Sequence, residues 1–120
     1  MTTTEPQPLT PAVFHILLAL ADGEKHGYRI MQAVKVNSGA EFIIGPGTLY
    51  GSIKRMLSDD LISEAEERPD PELDDQRRRY YRLTDHGMKA LSTELERMDA
   101  LVQKARTLNI LPPTPLGAKR

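Results

Sequence analysis

The last third of the chain carries an apolar seam. Met88, Leu91, Leu95, Met98, Val102 and Ala105 follow one another at alternating steps of three and four, reinforced by Leu101 and Leu108. These are the a and d positions of three heptads, the pattern of a helix that hides one narrow stripe. Thr84 reads as its N-cap, and the periodicity runs to about Thr107. At about 1.5 Å per residue such a helix is about 35 Å long. A chain of 120 residues has little left to cover it. Either the helix folds back on an earlier helix or it pairs with a second copy. Leu111-Pro112-Pro113-Thr114-Pro115 cannot continue it, so residues 109–120 read as a flexible tail.

Upstream, residues 1–9 are polar with two prolines and read as a flexible arm. Thr10-Pro11 then suits an N-cap followed by proline at the first helical position. Val13, Ile16, Leu17 and Leu20 recur at helical spacing until Asp22-Gly23 stops them, which defines a first helix. A second is expected from about His26 to Val36, with Tyr28, Ile30, Met31 and Val34 on its apolar side. Phe42-Ile43-Ile44 is a short apolar piece before the turn Gly45-Pro46-Gly47. The third helix is expected from near Thr48. Leu49, Ile53, Met56 and Leu57 form its inward stripe, while Thr48, Tyr50, Ser52, Lys54 and Arg55 occupy the other face.

Leu61 to Glu67 and Arg77 to Leu83 read as two strands of a hairpin, joined by an acidic loop over Arg68–Gln76. A period of two places Tyr81 and Leu83 on one face and Arg78, Tyr80 and Arg82 on the other. The expected fold class is mainly α with a small β-hairpin: a winged helix-turn-helix over residues 10–83, then a C-terminal dimerisation helix over 84–108.

Taken alone, the net charge of −1 opposes a nucleic-acid partner, but it is a cancellation. Residues 25–58 carry a net +4, residues 59–76 a net −8, and the four arginines of 77–82 a further +4. The longest apolar stretch, Ile16 to Ala21, is far short of the roughly 18 residues of a membrane span. With no cysteine and no basic patch at the N-terminus, a cytoplasmic protein is expected, without disulfides. His15, His26 and His86 lack the i, i+4 pairing of a helical zinc site, so no metal and no cofactor are expected. An enzyme is disfavoured because no glycine-rich phosphate loop, no G-x-S-x-G and no paired nucleophile and base are present.

Three helices followed by a hairpin is the order of a winged helix, in which the third helix can enter the major groove. A reading helix needs an apolar stripe for docking and an outer face of hydrogen-bonding and basic groups for base edges and phosphates. The third helix has both. Gly47 and its neighbours leave backbone N–H groups free at its start, where they suit phosphate oxygens. Arg77, Arg78 and Arg79 could track the DNA backbone, or they could neutralise the adjacent acids.

Four motifs extend this reading. His26-Gly27-Tyr28, Gly47-Thr48-Leu49-Tyr50, Leu61-Ile62, and Arg79-Tyr80-Tyr81-Arg82-Leu83-Thr84 with Gly87 resemble the PadR family of bacterial transcriptional regulators over residues 10–107. The resemblance implies a winged helix with a dimerisation helix, as in the short subgroup with one C-terminal helix. It also implies operator binding as a homodimer, usually repression, often relieved by a small molecule. Two features depart from the family pattern: the strongly acidic wing loop, and Gly51-Ser52 in the middle of the third helix.

The candidate DNA-binding set is Lys25, His26, Tyr28, Gly47, Thr48, Tyr50, Ser52, Lys54, Arg55, Arg77, Arg78 and Arg79. The candidate dimerisation set is Met88, Leu91, Leu95, Met98, Leu101, Val102 and Ala105. The expected partners are double-stranded DNA and a second copy of the chain, with no membrane. The methionines of the seam also suit a cavity for a small aromatic or amphipathic effector. The alternative is a winged helix that docks a partner protein, which the fold alone does not separate from DNA binding.

Overall fold

Thr10 caps the first helix as its sequence suggests, its hydroxyl accepting from the Val13 N–H at 3.2 Å with Pro11 at the first helical position. In the computed structural model, which describes residues 9–114, helix α1 spans Pro11–Leu20, α2 Gly27–Asn37, α3 Pro46–Ser58 and α4 Asp85–Thr107. Five short strands lie between them: β1 (Lys25–His26), β2 (Ile62–Glu64), β3 (Arg68–Pro69), β4 (Arg77–Arg78) and β5 (Tyr80–Leu83). The order is that of a winged helix. Helix α3 begins at Pro46, two residues before Thr48, because proline's fixed φ and missing N–H fit the first turn. The expected arm, apart from Leu9, and the tail beyond Thr114 lie outside the described residues.

The core is built from one face of each helix. Ile16, Leu17, Ile30, Val34, Leu49, Ile53 and Met56 are buried together with Ile62, Tyr81 and Leu91. The stripe expected on α3 is largely the one used: Leu49, Ile53 and Met56 are buried and Leu57 is half-buried. Burying a side chain of this size is worth about 1.5–3 kcal/mol, so these few contacts set the orientation of α3.

The strands differ from the simple hairpin. The main sheet is antiparallel in the order β1-β5-β2, with Lys25 opposite Tyr81, Ile62 opposite Leu83 and Glu64 opposite Tyr81. Strand β1 was not expected. It exists because β5 offers its second edge to the two residues ahead of α2. The expected loop over Arg68–Gln76 is shorter than that span, since Arg68 and Pro69 pair with Arg78 and Arg77 as a separate two-stranded tip.

Both faces of β5 are covered. Tyr80 does face away from Tyr81, yet both are buried. The second face of the strand is covered by the Arg68 guanidinium, 3.6 Å from the Tyr80 ring centre, and by the edge of His26.

Helix α4 divides into two parts. Its start is locked to the body: Thr84 caps it through the Gly87 N–H at 2.9 Å and donates its own hydroxyl to the Asp60 carbonyl at 2.6 Å. Leu91 reaches the core, but beyond it the helix projects from the body. The Cα radius of gyration, 16.6 Å, exceeds the roughly 13 Å of a compact chain of this length.

Candidate nucleic-acid interface

Helix α3 presents Thr48, Tyr50, Gly51, Lys54 and Arg55 to solvent, with Ser52 half-buried at the edge of that face. Among the described residues, neither Lys54 nor Arg55 has an ion-pair partner. Two cations without partners on a helix anchored by its opposite face are available to an external anion. Gly47 is exposed in the first turn of the same helix.

The geometry gathers the predicted residues into two groups. Tyr28, Tyr50, Arg77, Arg78 and Arg79, with His26 at the base, line one concavity of about 330 Å³ between α2, α3 and the returning wing strand. Gly47, Thr48, Ser52 and Arg55 line a second, of about 310 Å³, against Thr10 and Val13. Lys25 and Lys54 line neither, and Lys25 is paired with Asp22.

The Tyr50 ring crosses the start of α2 and depends on Gly27. A methyl group at residue 27 would lie 2.3 Å from the Tyr50 hydroxyl oxygen. The tyrosines are amphipathic and half-exposed, Tyr28 at 45% and Tyr50 at 51%. Tyr81 behind them is different: burial pushes its phenol up, so it stays neutral and serves as packing.

His26 does not stand on this surface. It is 2% exposed, and its Nε2 lies 2.8 Å from Asp70 Oδ2. The same oxygen accepts from Arg29 Nε at 2.9 Å. The Arg29 guanidinium, and then His26, hold the Asp70 carboxyl well below the usual carboxylate range. Asp70 and Arg29 were missed in the sequence, where Asp70 is one acid among nine over residues 59–76.

The wing arginines are engaged within the wing. Arg77 pairs with Glu67 at 3.6 Å, Arg78 with Asp74 at 3.0 Å and Arg79 with Glu64 at 3.5 Å. Glu24 takes both Arg68 and Arg82, at 3.1 and 3.6 Å. Acids of the wing, together with Glu24 ahead of β1, therefore neutralise these arginines. Exposed pairs of this kind are worth at most about 1 kcal/mol, so a phosphate can replace the carboxylate.

The seam on α4 is exposed along most of its length. Met88, Leu95, Met98, Leu101 and Val102 are 37–67% exposed, and Ala105 is half-buried. Leu91 is set apart, since its own chain already buries it to 2% exposure. Among the described residues, no three histidine or acidic side chains are gathered as a metal site, and no helix is long and apolar enough to cross a membrane.

A winged helix with a polar, cationic third-helix face is the architecture of a DNA-binding regulator. The comparisons with known proteins agree at the level of family. Residues 16–93 match the model of the transcriptional regulator PadR-like family, and the chain belongs to that family. It is 32% identical over 90 residues to a transcriptional regulator of Mycobacterium tuberculosis, covering 75% of this chain and 78% of that one. It is also 37% identical over 86 residues to an uncharacterised 37.1 kDa protein of a Streptomyces fradiae transposon. That match takes in 72% of this chain, which spans only 22% of the transposon protein's length. Bacillus subtilis PadR in complex with operator DNA shares the fold, with a TM-score of 0.59 and 22% identity over 94% of this chain and 55% of that one.

Proposed function

We propose that this chain is a homodimeric transcriptional repressor that reads a pseudo-palindromic operator with α3. The observation that carries this reading is the division of α3 into a buried stripe and an outer face whose two cations have no ion-pair partner among the described residues. Thr48, Tyr50 and Ser52 supply hydrogen bonds beside Lys54 and Arg55, and Tyr28 and the wing arginines flank them. A PadR protein with the same fold is bound to operator DNA. For this chain, the DNA contacts are argued from its own residues.

The exposed row on α4 supports the dimer. Apolar side chains recurring at heptad spacing along a projecting helix are covered most simply by the same row on a second copy. Two-fold symmetry then places the half-sites about 34–36 Å apart, or at a multiple of that spacing. Release by a small aromatic or amphipathic molecule fits the Met88 and Met98 side chains in the seam, which can repack around a guest.

A gel-shift series on DNA upstream of the chain's own gene tests the reading. Wild type should shift a fragment holding two half-sites. Leu95→Asp, which puts a charge into the row, should sediment as a monomer and lose the shift. A Leu95→Asp protein that still dimerises and still binds would remove α4 as the interface. Docking of a partner protein is the second reading, favoured by the internal pairing of the wing arginines, and salt dependence separates the two.

A further inference from the structure

The wing tip is tied to α2 by one carboxylate. Among the described residues, strands β3 and β4 pair only with each other, so no ladder hydrogen bond there fixes their direction relative to the main sheet. Asp70 follows directly after β3 and is, with His26, one of two polar side chains buried among the described residues. One oxygen accepts from His26 at 2.8 Å and from Arg29 at 2.9 Å, both on the α2 side, while the other accepts from the Glu72 N–H at 3.1 Å. Arg29 also reaches the Glu72 carboxylate at 3.3 Å. His26 in turn lies against Tyr80, whose ring also carries the Arg68 guanidinium. The wing is thus joined to the helix that supports α3 by a buried, charge-assisted bridge, the stronger kind of hydrogen bond.

We propose that Asp70 is a positioning residue for DNA binding: its carboxylate latches the wing to α2, so that Arg77, Arg78 and Arg79 stand beside Tyr28 and Tyr50. The inference rests on the DNA-binding reading above. It also predicts a sign that simple electrostatics reverses. Removing a negative charge from a DNA-facing surface ordinarily strengthens binding. Removing this one releases the arginines from their place and weakens it.

The test compares Asp70→Ala with Asp75→Ala on the same operator fragment at one salt concentration. Asp75 is exposed and forms no ion pair among the described residues, so its variant makes the same change in charge without touching the latch. Asp70→Ala should bind about tenfold more weakly and Asp75→Ala at least as tightly as wild type. The loss must also run through the wing. When Arg77, Arg78 and Arg79 are all replaced by alanine, adding Asp70→Ala should change affinity by less than about twofold, whereas a general structural role would weaken both backgrounds equally. Amide exchange over residues 70–78 should quicken in Asp70→Ala while the α1 amides keep their protection. If Asp70→Ala does not fold, Asp70→Asn, which preserves the size, carries the same comparison.

Asp70→Ala binding as tightly as wild type, or losing the same factor in both backgrounds, overturns the latch alone. A wild-type protein that fails to bind DNA overturns the latch together with the DNA-binding reading.

Discussion

A methyl group at Gly87 would have nowhere to go. An ideal Cβ there lies 1.9 Å from the Leu61 carbonyl oxygen and 2.9 Å from its carbon. Comfortable carbon–oxygen contact begins near about 3.3 Å, so Gly87→Ala forces the first turn of α4 back by more than about 1 Å. The obstacle is backbone, which cannot turn aside as a side chain would. Overpacking of this kind costs about 1–3 kcal/mol. The same corner holds the Thr84 N–H bond to Leu61 at 3.2 Å and the Thr84 hydroxyl bond to Asp60 at 2.6 Å, which the retreat would break. Each is worth about 1 kcal/mol. Alanine's better helix propensity returns about 1 kcal/mol. The net expectation is a loss of about 2–4 kcal/mol, or a melting temperature lower by roughly 8–16 °C. Thermal unfolding followed by circular dichroism at matched protomer concentration measures it, since dimerisation makes the midpoint concentration-dependent. Propensity alone predicts the opposite sign. A Gly87→Ala protein as stable as wild type, or more so, would refute the packing of α4 against Leu61.

Other expectations follow from the same geometry. Gly51 has open space around it, so Gly51→Ala should raise stability by about 1 kcal/mol in urea unfolding. If DNA approaches the backbone there, the same variant should bind DNA more weakly. Leu91→Ala should cost about 2–5 kcal/mol of folding stability, while Leu101→Ala should spare the fold and raise the dimer dissociation constant about tenfold in sedimentation. Asp70 titrates below the ordinary aspartate value, so its stabilisation is fully present above about pH 4 and is lost as pH falls toward its folded value. The gap in urea midpoint between wild type and Asp70→Asn should therefore be constant near neutrality and shrink in acid. A gap unchanged down to pH 2 would contradict the bridge.

The parts legible in the sequence were those written as periodicity. The α3 stripe and the α4 heptads each repeat within one element, so neighbouring residues carry the signal. Strand β1 was hidden for the opposite reason: Lys25 and His26 are a strand only because Tyr80 and Tyr81 lie beside them. Alternation separates Tyr80 from Tyr81 on two faces, but it does not record that Arg68 of the wing covers the second one. Asp70 looks like its acidic neighbours until the fold brings it to His26 and Arg29. For the wing arginines the sequence leaves phosphate and acid as alternatives, and the fold sets each of them beside an acid.

The central claim is that α3 binds DNA phosphates as one of a pair, and the salt dependence of operator affinity tests it most directly. A dimer presents Lys54 and Arg55 twice, four unpaired cations, while each wing arginine exchanges one anion for another. Four phosphate contacts predict that the logarithm of the binding constant falls linearly with the logarithm of salt concentration, with a slope of about −3.6. Lys54→Ala should reduce that slope by about 1.8, one contact per protomer. A slope near zero, unchanged by Lys54→Ala, would contradict the account.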